Sequence, residues 1–401
     1  MGTSFRWLVA SSWTSNIGDG IGLAAGPLLV ASQTSDPILV ALAGLLQRLP
    51  WLLFGLYAGV LADRVDRRLM VVAVDLARAG VLAVLTAMLV TGHVNITVVL
   101  VTMFLLGTAE TFADTTTGTL LPMVVAKRDL GIGNARLMTG SLTMNQLAGP
   151  AIGAMLFAAG TAWPFLVQSV CVALGAVLIS RMVLPPLGRP AGPSHVGRDI
   201  AEGFRWTWGN GAVRTLTLAI VTFNVTFGAA WSVLVLYATQ RLGMGAVGFG
   251  LLTTVSAIGG LLGTAVYDWL EGHATLAAIM RVGLIIETFT HLGFAVTTRP
   301  WVAMAIMFVF GAHAFIWGTT SQTVRMRAVP MELQGRVGSL YAIGVFGGII
   351  LGQALGGVIA RFWGLTAPFW FAFVGSALIL VLIWRELAHI AHADEAVLDP
   401  A

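Results

Sequence analysis

Apolar runs of about 20 to 27 residues recur along this chain and are separated by short polar gaps. A helix needs about 20 mostly apolar residues to cross the hydrocarbon core of a bilayer. The runs are continuously apolar rather than alternating, which favours helices over the strands of a membrane barrel. The pattern therefore predicts an all-α integral membrane protein with twelve spans, at residues 7–31, 38–61, 69–91, 96–120, 137–159, 164–183, 214–240, 247–270, 276–297, 301–322, 337–360 and 368–388.

Composition supports this prediction. Of 401 residues, 57% are hydrophobic and only 10% are charged, whereas soluble domains carry about 25% charged residues. The first run is too long for a signal-peptide core, so we expect it to remain as span 1. The chain's one cysteine, Cys171, excludes an intramolecular disulfide and a cysteine metal cluster.

The distribution of basic residues predicts the orientation. Arginines concentrate in the loops that follow even-numbered spans, whereas the opposite loops hold Arg241, Arg299, Arg361 and little else. Basic loops remain in the cytoplasm, so both termini are expected there, in a bacterial cytoplasmic (inner) membrane. The net charge of +4 is then explained without a nucleic-acid partner.

The apolar pattern also predicts a domain boundary. Residues 184–213 are less apolar, contain four prolines, and end in a stretch that mixes Glu202, Phe204, Arg205 and Trp208. This composition is typical of a helix lying on the membrane surface. We expect a six-helix bundle at 1–183, a cytoplasmic linker at 184–213, and a second six-helix bundle with a short tail at 214–401.

The two halves resemble each other weakly. A shift of 204 residues places Gly59 on Gly263 and the loop 126–137 on the loop 330–341. Repeats of half the chain are typical of transporters, whose substrate sites lie near mid-membrane.

The loop between spans 2 and 3 contains a motif. Gly59 is followed by Asp63-Arg64 and then by the basic pair Arg67-Arg68. This spacing resembles the cytoplasmic signature of the major facilitator superfamily, although an aspartate replaces the glycine that usually precedes the basic pair. In that family the motif latches the two halves in one state, which implies a gating role here. The alternative is an ordinary positive-inside loop with balancing acids.

Shorter matches narrow the resemblance to one branch, which includes the enterobactin exporter, macrolide efflux proteins and Tap-type multidrug pumps of mycobacteria. They lie at residues 15–19, 47–50, 75–79, 134–137, 149–150 and 329–337. The resemblance implies a twelve-helix drug/proton antiporter that needs no cofactor beyond the proton-motive force and functions as a monomer.

Two charges lie deep in the first two spans. Asp19 is about 12 residues into span 1 and Arg48 about 10 residues into span 2, which places both about 15–18 Å deep. Inserting a charged side chain at that depth costs about 2.5–3.5 kcal/mol, so we expect each of these charges to have a functional or structural role. Asp19 is the first candidate for the proton-coupling acid, with Arg48 as its partner and Glu110 as the second candidate. The alternative is a static Asp19–Arg48 pair that fixes the two spans.

A second group of charges lies in the cytoplasmic half of spans 3 and 4. Asp75 and Arg78 are spaced i,i+3, while Asp114 follows Glu110 by one turn. Similar depth predicts a network of Asp75, Arg78 and Asp114. We interpret this network as structural or gating, because span 3 is peripheral in the family that the chain resembles.

The same family lines its cavity with spans 1, 4, 7 and 10. The candidate cavity residues on those spans are polar or aromatic: Asn16, Thr111, Asn224, Phe227, Trp231, Trp317 and Gln322. Such linings bind varied apolar ligands permissively. The aromatic residues can equally be core or interfacial anchors.

Three further titratable residues, Glu287, His291 and His313, lie in spans 9 and 10. They suggest either a proton relay or a buried polar pair between packed helices. The sequence shows no spacing typical of a metal site and no nucleotide-binding fingerprint.

These observations predict a proton-coupled exporter of small amphipathic molecules, either drugs or an endogenous metabolite such as a siderophore, and not an enzyme. Two alternatives remain open: an importer of a hydrophilic nutrient, and a membrane sensor or scaffold that transports nothing. The sequence does not identify the substrate.

Overall fold

The computed structural model of the chain describes residues 2–62, 64–184, 196–330 and 333–387; for residues 196–200, 212 and 335 only the backbone is described. The regular structure in these ranges is entirely helical. The fourteen main helices are α1 Thr3–Gln33, α2 Pro37–Ala62, α3 Arg67–Val90, α4 Ile96–Thr117, α5 Leu130–Gly140, α6 Gly149–Ala159, α7 Trp163–Ser180, α8 Val196–Gly209, α9 Gly211–Trp231, α10 Ala246–His273, α11 Leu276–Val296, α12 Pro300–Ala328, α13 Gln334–Trp363 and α14 Ala367–Ile383.

Short helical elements connect some of these helices. They are the turns Leu121–Val124 and Leu234–Leu236, the 3₁₀ turn Lys127–Asp129, and the π-helical segments Ser141–Ala148 and Tyr237–Arg241. Each of the twelve predicted spans falls on a helical segment. In the described ranges, nine helices are long and apolar enough to cross a bilayer, and α14 is a shorter apolar helix.

Helix α1 is not among the nine, because residues 11–16 are mostly Ser, Thr and Asn and the charged Asp19 follows them. Predicted span 5 is also missing from the nine, because it is divided into α5, the π segment Ser141–Ala148 and α6. Pro150 explains this division: proline has no backbone N–H and clashes with the preceding turn, so the regular helical hydrogen bonds are interrupted before it.

The chain forms two compact units: Met1–Gly192 with Ala238–Thr254, and Pro193–Tyr237 with Val255–Ala401. In the first unit α1 packs on α6 and α7, α3 packs on α7, and α2 packs on α4. In the second unit α9 packs on α13 and α14, and α11 packs on α14. The two units thus repeat the same helix pairings, as the weak 204-residue repeat suggested.

Glycines at equivalent positions allow the same close approach in both units. A side chain at Gly107 of α4 would collide with the backbone of Gln47 in α2. A side chain at Gly311, which lies 204 residues later, would collide with the backbone of Ser256 in α10. Small residues let membrane helices pack backbone to backbone, so both contacts depend on glycine.

The linker helix α8 packs on the second unit. Trp206 contacts a small apolar cluster of Val213, Val329 and Val337. Arg336 forms an ion pair of 2.7 Å with Glu202. The opposite face of α8 exposes Phe204 and Trp208, whose rings stack 5.2 Å apart.

Candidate functional site

Asp19 lies in the middle of α1, between two glycines at which other helices come close. A side chain at Gly18 would contact Cys171 of α7, and one at Gly20 would collide with the backbone of Asn145 in the π segment. The glycines therefore allow α1 to be packed on two sides, which confines the Asp19 carboxylate.

Arg78 of α3 is the partner of Asp19. Its Nη2 donates a hydrogen bond to Asp19 Oδ1, and its Nη1 donates to Asp75 Oδ1 over 3.3 Å. Arg78 and Asp75 are each only 4% exposed. One guanidinium therefore compensates two carboxylates in a buried position, where an isolated charge would be very unfavourable.

These three side chains line a cavity of about 460 Å³ within the first unit. Glu110 and Asp114 of α4 line the same cavity, one helical turn apart. The other residues of the lining are mixed in character: Leu8, Ser11, Ser12, Ser15, Asn16, Val71, Ala113, Thr117, Gly118, Leu121, Asn134, Leu137, Met138, Ser141, Asn145 and Ile179.

The ionisable side chains of this lining are four acids and one arginine. With every group ionised, their formal charges sum to −3. Coulomb interactions are stronger in a partly buried site than in water, so such a cavity favours a bound cation or proton. The predicted coupling acids Asp19 and Glu110 and the predicted network of Asp75, Arg78 and Asp114 thus form a single site.

The predicted pairing of Asp19 with Arg48 is wrong. In the described part of the chain Asp19 pairs with Arg78, and no ion pair joins it to Arg48. Arg48 is exposed, whereas the preceding residue, Gln47, faces α4. Successive helical residues point about 100° apart, so similar depth did not place Arg48 and Asp19 on facing sides.

Of the two cavity residues predicted in the first unit, Asn16 lines the cavity and Thr111 does not. Asn16 also donates a hydrogen bond of 2.8 Å to Ser12 O. The hydroxyl of Thr111 is fully buried and donates to Gly107 O in its own helix.

The aromatic candidates of the second unit form a cluster. Trp231 stacks on Phe227 with ring centroids 4.6 Å apart and lies 4.7 Å from Phe310. Trp317 is buried in an apolar core with Leu216, Phe223 and others, which fits the alternative of a core residue.

The polar candidates of the second unit differ in position. Asn224 donates a hydrogen bond of 2.7 Å to Ile220 O in its own helix. Gln322 is exposed.

The three titratable residues of α11 and α12 meet in the second unit. His313 Nε2 lies 3.4 Å from Glu287 Oε2, and His291 Nε2 lies 4.0 Å from Glu287 Oε1. All three are buried, and the ring of Trp231 meets His291 edge-on. Within the described ranges, no set of three His, Cys, Asp or Glu residues could hold a metal ion.

The motif between α2 and α3 is described in part, because Asp63 lies outside the described residues. Arg67 Nε donates to Ala62 O over 3.0 Å, and Arg68 Nη1 donates to Met182 O over 2.9 Å. Asp66, which replaces the usual glycine, accepts hydrogen bonds from two backbone N–H groups and caps α3.

The remaining two residues of the motif are Arg64 and Gly59. Arg64 is exposed, and a side chain at Gly59 would come no closer than 3.9 Å to Thr115. The gating role of the motif stays a prediction.

Helical bundles with repeated pairings and an acidic cavity are typical of membrane transporters. The sequence matches the model of the transmembrane secretion effector family over residues 2–400, and the chain belongs to this family of the major facilitator superfamily. It is therefore a multi-pass membrane transport protein, as the motifs predicted, and not an enzyme.

Two curated relatives are efflux proteins. The multidrug efflux pump Tap of Mycolicibacterium fortuitum is 29% identical over 392 residues, which cover 90% of this chain and 92% of Tap. Macrolide efflux protein A of Streptococcus pyogenes is 25% identical over 181 residues, covering 43% of this chain and 44% of that protein. Among solved structures, the nucleoside transporter NupG superposes with a TM-score of 0.78 at 10% identity, covering 96% of this chain and 100% of NupG. That likeness shows the fold.

Proposed function

We propose that this protein is a proton-coupled exporter that exchanges protons for small amphipathic molecules by alternating access. The observation that carries the proposal is the cavity of the first unit, in which Asp19, Asp75, Glu110 and Asp114 surround Arg78. The multidrug efflux activity in the name of the Tap relative supports export. We further propose that the protein is a monomer in a bacterial cytoplasmic membrane, with both termini in the cytoplasm.

The lining explains why the substrate should be amphipathic. Pockets for drug-sized molecules measure about 300–1,000 Å³, and the cavity of about 460 Å³ falls in that range. Serine, asparagine and acidic side chains alternate with Leu8, Val71, Leu137 and Met138 in its wall. The excess of acids favours a cationic amphipathic molecule over an anionic metabolite such as a siderophore.

The exchange of substrate for proton follows from the same excess of acidic side chains in the cavity. A cationic substrate and a proton both reduce the negative charge around Arg78, so the binding of one weakens the binding of the other. If each is carried across the membrane in a separate half of the cycle, an inward proton gradient drives the substrate outward. The proposal therefore needs no cofactor and no ATP.

Reconstitution in proteoliposomes tests the proposal. Ethidium, a permanent lipophilic cation, would be the probe, and an imposed pH gradient the driving force. We expect gradient-driven ethidium transport by the wild type and its loss in Asp19→Asn. The matched control is Asp129→Asn, which removes an acid of the 3₁₀ turn that lies 3.8 Å from Arg128.

The result also separates the alternatives. Transport that is independent of the pH gradient would indicate a facilitator, and an absence of flux for ethidium, erythromycin and nutrients alike would favour a sensor or scaffold. Full gradient-driven transport in Asp19→Asn would shift the coupling role to Glu110 or Asp114.

A further inference from the structure

A second, smaller cavity lies on another side of the acid–arginine cluster. Its volume is about 40 Å³, and it shares Asp19, Arg78, Glu110 and Asn145 with the larger cavity. Its remaining lining includes Gln47 of α2 and Gln168 of α7, along with apolar residues. A water molecule needs about 10–15 Å³ and two to four polar partners, so the small cavity has room for about three waters and offers enough polar groups.

Gln168 is the unexpected member of this lining. It is only 6% exposed, and its side-chain amide has no hydrogen-bond partner among the described residues. Buried amides are almost always hydrogen-bonded to protein or to ordered water. The amide lies close to Gly22 of α1: a side-chain carbon at that position would lie 2.8 Å from Gln168 Nε2 and 3.1 Å from its Oε1.

We propose that Gln168 positions an ordered water between Asp19 and Glu110, and that this water relays the coupling proton. The inference rests on the proposed function and adds a positioning residue to it. The charged groups that face the small cavity are Asp19 of α1, Arg78 of α3 and Glu110 of α4. Asp75 and Asp114 line the larger cavity only, and the charge of Arg48 on α2 also acts on Glu110.

The relay conserves protons and water. The proton of the Asp19 carboxylic acid passes to the water, and the water passes a different proton to the Glu110 carboxylate. Asp19 becomes an anionic carboxylate that forms an ion pair with Arg78. Glu110 becomes a neutral acid, and the water is regenerated. Gln168 itself neither gains nor loses a proton, because its amide is neutral over the physiological range.

The water can be tested without a substrate. Infrared difference spectra between acidic and alkaline pH, recorded in H₂¹⁶O and H₂¹⁸O, show an isotope-sensitive O–H band if an ordered water changes its hydrogen bonds on protonation. We expect this band in the wild type and its loss in Gln168→Met, which keeps the length of the side chain. Gly22→Ala should weaken it too, because the new methyl group would displace the amide of Gln168.

Ser169→Ala is the matched control. Ser169 is the next residue of α7, is also buried, and donates a hydrogen bond of 2.8 Å to Ala79 O, away from the small cavity. The band should persist in this variant. A wild-type spectrum without an isotope-sensitive band would overturn the water site, and a band that survives in Gln168→Met would overturn the role of Gln168.

Transport separates this inference from the proposed function. Positioned proton transfer contributes about 10²–10⁴-fold to a rate, so Gln168→Met should slow gradient-driven ethidium transport on the order of 100-fold. Ethidium–ethidium exchange, which moves no net proton, should remain. If the wild type lacks gradient-driven transport, the proposed function fails and the relay with it. If wild type and Gln168→Met transport equally fast, only the relay fails.

Discussion

The guanidinium of Arg78 donates a hydrogen bond to the carboxylate of Asp19, which joins α3 to α1 across 59 residues of sequence. The same guanidinium binds Asp75 in its own helix. Arg78 thus connects the acid in the centre of α1 with an acid of α3. Any change in the charge of Asp19 alters the contact that holds these two helices together.

Removal of Arg78 should destabilise the protein strongly. Arg78→Ala leaves Asp19 and Asp75 uncompensated in a buried site, and breaking a buried pair typically costs about 3–5 kcal/mol. The double variant Arg78→Ala with Asp19→Asn should recover a large part of this loss. Denaturant-induced unfolding in detergent measures both effects, with Arg64→Ala, in an exposed loop position, as the control. Additive losses in the double variant would contradict a direct pair.

Arg48→Ala should behave differently, although Arg48 lies at a similar predicted depth. Arg48 is exposed and is not paired with Asp19, and substitutions away from buried contacts usually change stability by less than about 0.5 kcal/mol. We expect the free energy of unfolding to stay close to that of the wild type. A loss comparable to that of Arg78→Ala would show that Arg48 compensates a buried acid.

The contrast between Arg48 and Arg78 illustrates what the sequence could predict. Run length and composition were sufficient to predict a helical membrane fold, whereas membrane depth stays a prediction. Depth grouped Asp75, Arg78 and Asp114 and placed Asp19 near the middle of its helix. These spans are apolar on nearly every side, so the sequence carries little information on which face of each helix meets a neighbour.

The residues that the sequence analysis did not select as site residues show the same limit. Gln47, Asn145 and Gln168 line the small cavity. Each is a polar amide within a predicted span, and Gln47 also belongs to the family match at residues 47–50. Asn145 points into the cavities from the π segment, whose geometry depends on Pro150 and is not evident from periodicity.

Helix contacts that depend on glycine give a third prediction. Gly107→Ala should destabilise the first unit by about 1–3 kcal/mol, because the new methyl group would collide with the backbone of Gln47, which cannot move like a side chain. Gly55→Ala in α2 is the control, since a side chain there meets nothing within 4 Å. It should be neutral or slightly stabilising, as alanine favours helix by up to about 1 kcal/mol. Unfolding of the two variants in detergent compares them directly, and equal effects would contradict the close approach of α2 and α4.

The last prediction concerns how the linker helix α8 is attached to the second unit. Trp206 packs against Val213, Val329 and Val337, whereas Trp208, half a turn away, is 50% exposed. Burial of a large aromatic side chain contributes several kcal/mol, while an exposed ion pair such as Glu202–Arg336 contributes about 0–1 kcal/mol. Trp206→Ala should therefore release α8, and Trp208→Ala and Arg336→Ala should not. Hydrogen exchange of residues 201–209, measured by mass spectrometry, reports the release as faster exchange of the helix amides. Unchanged exchange in Trp206→Ala, or equally fast exchange in Arg336→Ala, would mean that the apolar cluster is not what attaches the helix.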